Sequence, residues 1–190
     1  MRGGGTLARV PVFPLFVFEY APYAAWAAPL AGRLPPLAGH LVRIARKSGL
    51  RDVHGAVHAS AFLHDRKILF DCHRREFTRV FVHEIFHFAW LRLSNVQRWS
   101  YEDLLGDEFA AQAIGELGWS AEWRKNALTG GDRPNRTRRW REYCCESFCD
   151  SAAWLYSGRK NHDEFTLPQQ FRNFRQDWFT GIAKDGPLPI

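Results

Sequence analysis

Residues His83-Glu84-Ile85-Phe86-His87 form an HExxH segment. On an α-helix with 3.6 residues per turn, histidines four positions apart lie about 40° from one another on a single face. Their imidazoles can therefore grip one divalent cation, while Glu84 projects beside it toward a water that the cation would activate. Neutral imidazole suits Zn2+, and two histidines plus one further protein ligand leave a fourth position for a water whose pKa the metal brings toward ~7. The surrounding stretch, Phe77 to Leu93, is apolar on nearly every side, so its helix is expected in the core. Three ionisable groups on a buried helix cost several kcal/mol unless something compensates, and a metal ion compensates all three at once.

Such a centre needs a third ligand. The histidine that follows the motif is His162, too distant along the chain to belong to the same helix, so an acid on another element is required. Among the ten glutamates only Glu146 has an Asp four positions later, Asp150. Both fall on one face of a helix expected over 138–156. Glu146 would reach the metal there, and Asp150 would accept the free ring N–H of a ligand histidine, fixing its tautomer. Glu142, one turn earlier, reads instead as an ion-pair partner of Arg138.

With these residues in place the chain resembles the gluzincin branch of zinc metallopeptidases, whose members follow HExxH with an ExxxD helix that carries a ligand Glu and an orienting Asp. The match covers Lys67 to Leu93 and Cys145 to Trp154, less than a quarter of the sequence. The short strand feeding the motif helix through Arg75 and Phe77 to Val82 is also similar to the ImmA/IrrE group of small bacterial metallopeptidases. The resemblance implies a peptidase holding one Zn2+ through His83, His87 and Glu146, with Glu84 as general base, Asp150 supporting a ligand histidine, and a peptide or protein as substrate. It also implies a zincin-like α+β fold, mostly helical, with a small sheet beside the metal-binding helix. The chain departs from these families in the 58 residues between His87 and Glu146, a longer separation than many such enzymes have, and in Phe86, where the small peptidases usually carry Gly. The segment Asp103 to Ala111 echoes the downstream part of the ImmA/IrrE proteins, so Glu102, Asp103 and Glu108 stand as rival third ligands. Tyr143, Tyr156 and His162 are candidate donors to a developing oxyanion, and none is singled out.

The elements that must position these groups follow from pattern. Residues 1–9 are Gly-rich, and residues 1–36 together read as a Pro- and aromatic-rich arm lying against a single domain over 37–190. Leu37 to Ser48 reads as a short helix ended by Gly49. Asp52 to His64 alternates and Lys67 to Cys72 is a short apolar run, which predicts two strands joined by a turn at 64–66. Further helices are expected over Tyr101 to Leu117, from Ser120 as N-cap to Leu128, over Arg138 to Tyr156, and around Gln169 to Trp178, with a loop over Thr129 to Thr137.

Composition narrows the function classes. With 46% apolar and 15% aromatic residues in 190, there is ample material for a core, which excludes disorder and a disulfide-dependent mini-scaffold. The four cysteines, Cys72, Cys144, Cys145 and Cys149, lack paired CxxC spacing and fit reduced thiols in a cytoplasm; Cys144 and Cys145 read as small buried residues. The apolar stretch Val10 to Leu30 is broken by four prolines and Glu19, so neither a membrane span nor a signal peptide is expected. Net charge is +6, concentrated in seven cations between Arg124 and Arg141 against Asp132 alone. That run supports an alternative reading: a zinc-binding module without catalysis, touching nucleic acid or an acidic protein.

Overall fold

The computed structural model describes residues 13–52 and 55–190 and shows an α+β chain. The Gly-rich stretch over 1–9 lies outside the described residues. In chain order the elements are β1 (Phe16–Phe18), α1 (Ala21–Ala27), β2 (Leu37–Ala38), β3 (Val42–Arg46), β4 (Arg51–Asp52), β5 (Gly55–Ala56), β6 (Ala59–Phe62), β7 (Lys67–Phe70), α2 (Arg74–Arg92), α3 (Asn95–Ala110), α4 (Trp119–Asn126), α5 (Arg138–Tyr156), α6 (Gln169–Lys184) and β8 (Leu188–Pro189). The main sheet has the order β1-β3-β7-β6, parallel except for the β6–β7 pair, which leaves β6 as one edge.

One sequence expectation fails here. Leu37 to Ser48 is not a helix: Val42 to Arg46 is an inner strand, with Val42 and Ile44 fully buried and Arg43 exposed between them. Its apolar spacing fits periods of both 2 and 3.6, and parallel partners on both sides decide the outcome. One of those partners, β1, comes from the N-terminal segment, whose Phe16, Tyr23, Ala27 and Leu30 enter the main core. The one strand expected over Asp52 to His64 is instead, among the described residues, three short ones, β4 and β5 paired in a sheet of their own and β6 in the main sheet, and the other differences are at boundaries. Helix α3 begins at Asn95, behind a capping box in which Ser94 and Gln97 bond reciprocally, and stops at Ala110. Helix α4 is preceded by Gly118 rather than capped by Ser120, while α5 spans the expected residues and α6 runs on to Lys184.

The sheet and α1 pack on α2 through aromatic rings: Tyr23 of α1 stacks on Phe77, which stacks on Phe81 one turn along α2, while Phe16 of β1 and Phe70 of β7 meet them edge-on or tilted. The opposite side of α2 meets α5, where Phe86 packs against Phe148 and both contact Phe179 of α6. Helix α2 is therefore enclosed from both sides, as its composition demands. The C-terminal β8 pairs with β2, and Gly39 (φ +147°) lets the backbones meet, since a Cβ there would lie 2.0 Å from the Ile190 carbonyl oxygen.

Helix α6 is tied in by charge as well. Arg175, fully buried, donates to both Glu108 oxygens (2.9 and 2.6 Å), to Glu116 (2.8 Å) and to Ser151 (3.1 Å). Tyr143 and Lys125 complete the environment of Glu116 at 2.5 and 3.2 Å. Burial alone would raise the Glu116 carboxyl, but the Arg175 and Lys125 charges and the hydrogen bonds hold it below the usual carboxylate range. Arg175→Met would strand two buried carboxylates. We expect it to lower unfolding free energy by about 3–5 kcal/mol in urea titrations; a loss below about 1 kcal/mol would show that the network carries little of the α6 docking.

Candidate metal centre

Each of two facing helices presents side chains at (i, i+4) spacing. From α2 come His83 and His87. From α5 come two such pairs offset by one residue, Glu146 with Asp150 and Cys145 with Cys149. His83 Nε2 is 3.3 Å from Glu146 Oε2, His87 Nε2 is 4.0 Å from the same oxygen, and the two Nε2 atoms are 3.2 Å apart. Ligand bonds of about 2.0–2.1 Å at tetrahedral angles give ligand–ligand edges of about 3.3 Å, so the three atoms sit close to three corners of a zinc tetrahedron. His83, His87 and Glu146 form one of two groups of potential metal ligands among the described residues; the other is His87, Cys145 and Cys149.

The remaining ring nitrogens have different neighbours. His83 Nδ1 donates to Asp150 Oδ1 at 2.8 Å, and Asp150 Oδ2 accepts from the Ala121 backbone N–H at 3.0 Å, in the first turn of α4. One carboxylate thus orients the ring and caps a neighbouring helix whose N-cap position is a glycine. Gly118 has no freedom to be anything larger, because a Cβ would fall 2.1 Å from Asp150 Cγ. His87 Nδ1 lies 3.5 Å from Cys145 Sγ and 3.4 Å from Cys149 Sγ.

Glu84 is buried and lines the same cleft as the two histidines, a hollow of about 580 Å³ bounded by β6, α2, α4 and α5. Burial raises its carboxyl above the ordinary value, while the charges of His87 and His83, and to a lesser extent a backbone hydrogen bond from Ala61 on β6, pull the other way. Glu146 is held down to about 2: burial opposes this, but His87, His83 and Arg124 outweigh it. Arg124 was read from sequence only as part of the basic run. Its Nη2 lies 3.4 Å from Glu146 Oε1, its Nη1 donates to the Ser120 carbonyl, its plane covers Trp123 at 4.3 Å, and its buried Nε has no partner.

The other candidate residues go elsewhere. Glu102 accepts from Arg136 and Trp140, Glu108 binds Arg175, and Asp103 is exposed, so none of the rival acids joins the histidines. Glu142 pairs with Arg138 at 2.6 Å, as expected. Tyr143 bonds Glu116, Tyr156 stacks on Phe86, and His162 pairs with Glu76; none of the three lines the cleft. Comparison of the chain with protein-family models, curated proteins and solved structures finds no match.

Both imidazoles are held above their ordinary 6.5 in the metal-free protein. Burial opposes this at each. At His83 it is overcome by Asp150 and Glu146, and at His87, raised to about 9, by Cys145 and Glu146. The two Nε2 atoms hold one proton between them, and that shared proton favours the metal-free fold fully below pH ~6.5, a contribution that fades as pH climbs through about 9. Two Nε2 atoms 3.2 Å apart can share one proton but cannot each carry one between them. A metal must displace that proton, so its affinity rises with pH over the same window. Calorimetric titration with Zn2+ at pH 7 in buffers of different ionisation enthalpy should show release of about one proton per ion; none released would mean the rings start out free to bind.

Proposed function

We propose that the chain is a zincin-like metallohydrolase, a zinc-dependent peptidase with Glu84 as general base, working in a reducing cytoplasm where its thiols stay free. The observation that carries this reading is the convergence of His83 Nε2, His87 Nε2 and Glu146 Oε2 in a cleft that Glu84 also lines, with two of their three separations (3.2 and 3.3 Å) at tetrahedral edge length and the third at 4.0 Å. A zinc ion held there would supply Lewis acidity, polarising a carbonyl and making a water nucleophilic near neutral pH.

The chain's own groups provide the rest. Glu84, raised by burial, takes a proton from the attacking water and passes it to the departing amine, a role that suits a carboxylate tuned toward neutrality. Asp150 keeps the His83 ring in the tautomer that leaves Nε2 free as a donor. Strand β6 is an edge strand along one wall of the cleft, so an extended substrate backbone can pair with it as an added strand. Across from it stand Trp119, which is 59% exposed, and Trp123, an apolar wall suited to a large side chain beside the scissile bond. Arg124 is the guanidinium nearest the centre, placed to favour negative charge developing on a carbonyl oxygen.

The alternative role for the Arg-rich segment gains little support from geometry. Lys125 is spent on Glu116 and Gly115, Arg133 on the Gly106 carbonyl, Arg136 on Glu102, Arg138 on Glu142 and Arg141 on the Arg136 carbonyl. Paired cations have less to offer a phosphate backbone.

Glu84→Gln is expected to retain zinc at the wild-type ratio by elemental analysis while hydrolysis of a mixed peptide library falls about 10²–10⁴-fold. Hydrolysis at the wild-type rate would remove Glu84 from the mechanism.

A further inference from the structure

The thiol pair of α5 bears the same relation to His87 that the acid pair bears to His83, and that symmetry has a chemical consequence. A hydrogen bond to a carboxylate is what usually orients a ligand histidine, and Asp150 provides it for one ring. The corresponding nitrogen of the other ring, His87 Nδ1, has instead two sulfurs at 3.5 and 3.4 Å, and the Cys149 thiol and the His87 side chain hold the Cys145 thiol down to about 6 against its burial. The same lengths that suit this hydrogen-bonded pair also suit a metal. With bonds of about 2.3 Å to sulfur and 2.0–2.1 Å to nitrogen, the nitrogen–sulfur edge of a tetrahedral metal site is about 3.6 Å. All three donor atoms lie within 4.8 Å of one another.

We propose a second metal position on the far side of the His87 ring, formed by His87 Nδ1, Cys145 Sγ and Cys149 Sγ, which takes a soft, thiophilic cation. The two positions differ in hardness. Two imidazoles and a carboxylate suit zinc, whereas two sulfurs and one imidazole favour ions such as Cd2+ or Cu+. Because Nε2 and Nδ1 point to opposite sides of one ring, an ion at the sulfur position need not expel one from the first. With both filled, His87 bridges them as an imidazolate, having released its remaining N–H proton to solvent, as the two thiols release theirs. The sulfur position shares His87 with the first centre but needs neither Glu84, His83 nor Glu146, so it stands or falls apart from the hydrolase reading.

Cadmium serves as the probe, because thiolate-to-cadmium charge transfer gives an ultraviolet absorption that nitrogen and oxygen ligands do not. Cd2+ is titrated into full-length wild type, into the Cys145→Ser/Cys149→Ser variant, and into His83→Ala/Glu146→Gln, with circular dichroism confirming the fold of each. The expected result is a thiolate band in wild type that survives in His83→Ala/Glu146→Gln and is lost from the serine variant. Wild type preloaded with one equivalent of zinc offers a check that needs no substitution: added Cd2+ should develop the band while the zinc stays bound. Absence of the band from wild type would overturn the proposal. So would a band that vanishes in His83→Ala/Glu146→Gln, or one that grows only as zinc is expelled, since either would mean a single centre that recruits the sulfurs. Zinc that binds His83→Ala/Glu146→Gln as tightly as wild type, with the cadmium band intact in both, would instead count against the first centre alone.

Discussion

Helices α2 and α5 can pack face to face only because the ionisable groups between them satisfy one another. His83, His87, Glu84, Glu146 and Asp150 are drawn together on helices whose facing surfaces otherwise meet through rings such as Phe86 and Phe148. In such surroundings an unpaired charge is costly, so each group has to be matched. Asp150 is matched twice, by a ring N–H and by the first turn of α4, and this anchors the short helix that brings Trp119, Trp123 and Arg124 to the cleft. Glu164 reinforces the same helix end, accepting from the Trp119 N–H while it holds Arg79. The positions of the cleft walls thus follow from how the buried carboxylates are paid with hydrogen bonds.

The same pairing explains how much could be read in advance. HExxH and ExxxD are local spacings on strongly patterned helices, and helical geometry alone carries each pair onto one face. That the faces meet is tertiary information, yet burial of α2 made a charged partner necessary, and few acids had suitable spacing. Cys145 and Cys149 repeat the spacing of Glu146 and Asp150 one residue earlier, but small thiols on a buried helix look like packing, and only the distance to His87 gives them another meaning. Gly118, just past the helix expected over Tyr101 to Leu117, has a steric role that its position in the sequence does not reveal: it leaves room for the Asp150 carboxylate.

The sheet was less legible. Residues 42–46 carry apolar side chains at positions compatible with either period, and the neighbours that fix them as a strand come from residues 16–18 and 67–70. A parallel inner strand depends on chain segments far away in sequence, whereas a helix satisfies its own backbone. The intramolecular partners of the Arg-rich run were no more legible. Its charge looks like a surface for an anionic partner, but most of its cations close loops and cap carbonyls around α3 and α5.

The most direct test is X-ray absorption at the zinc edge on protein loaded with a single equivalent of Zn2+. The expected spectrum is a first shell of nitrogen and oxygen alone at about 2.0–2.1 Å, with outer scattering from two imidazoles. A first shell containing sulfur at about 2.3 Å would place the ion with Cys145 and Cys149, and would contradict a centre built from His83, His87 and Glu146.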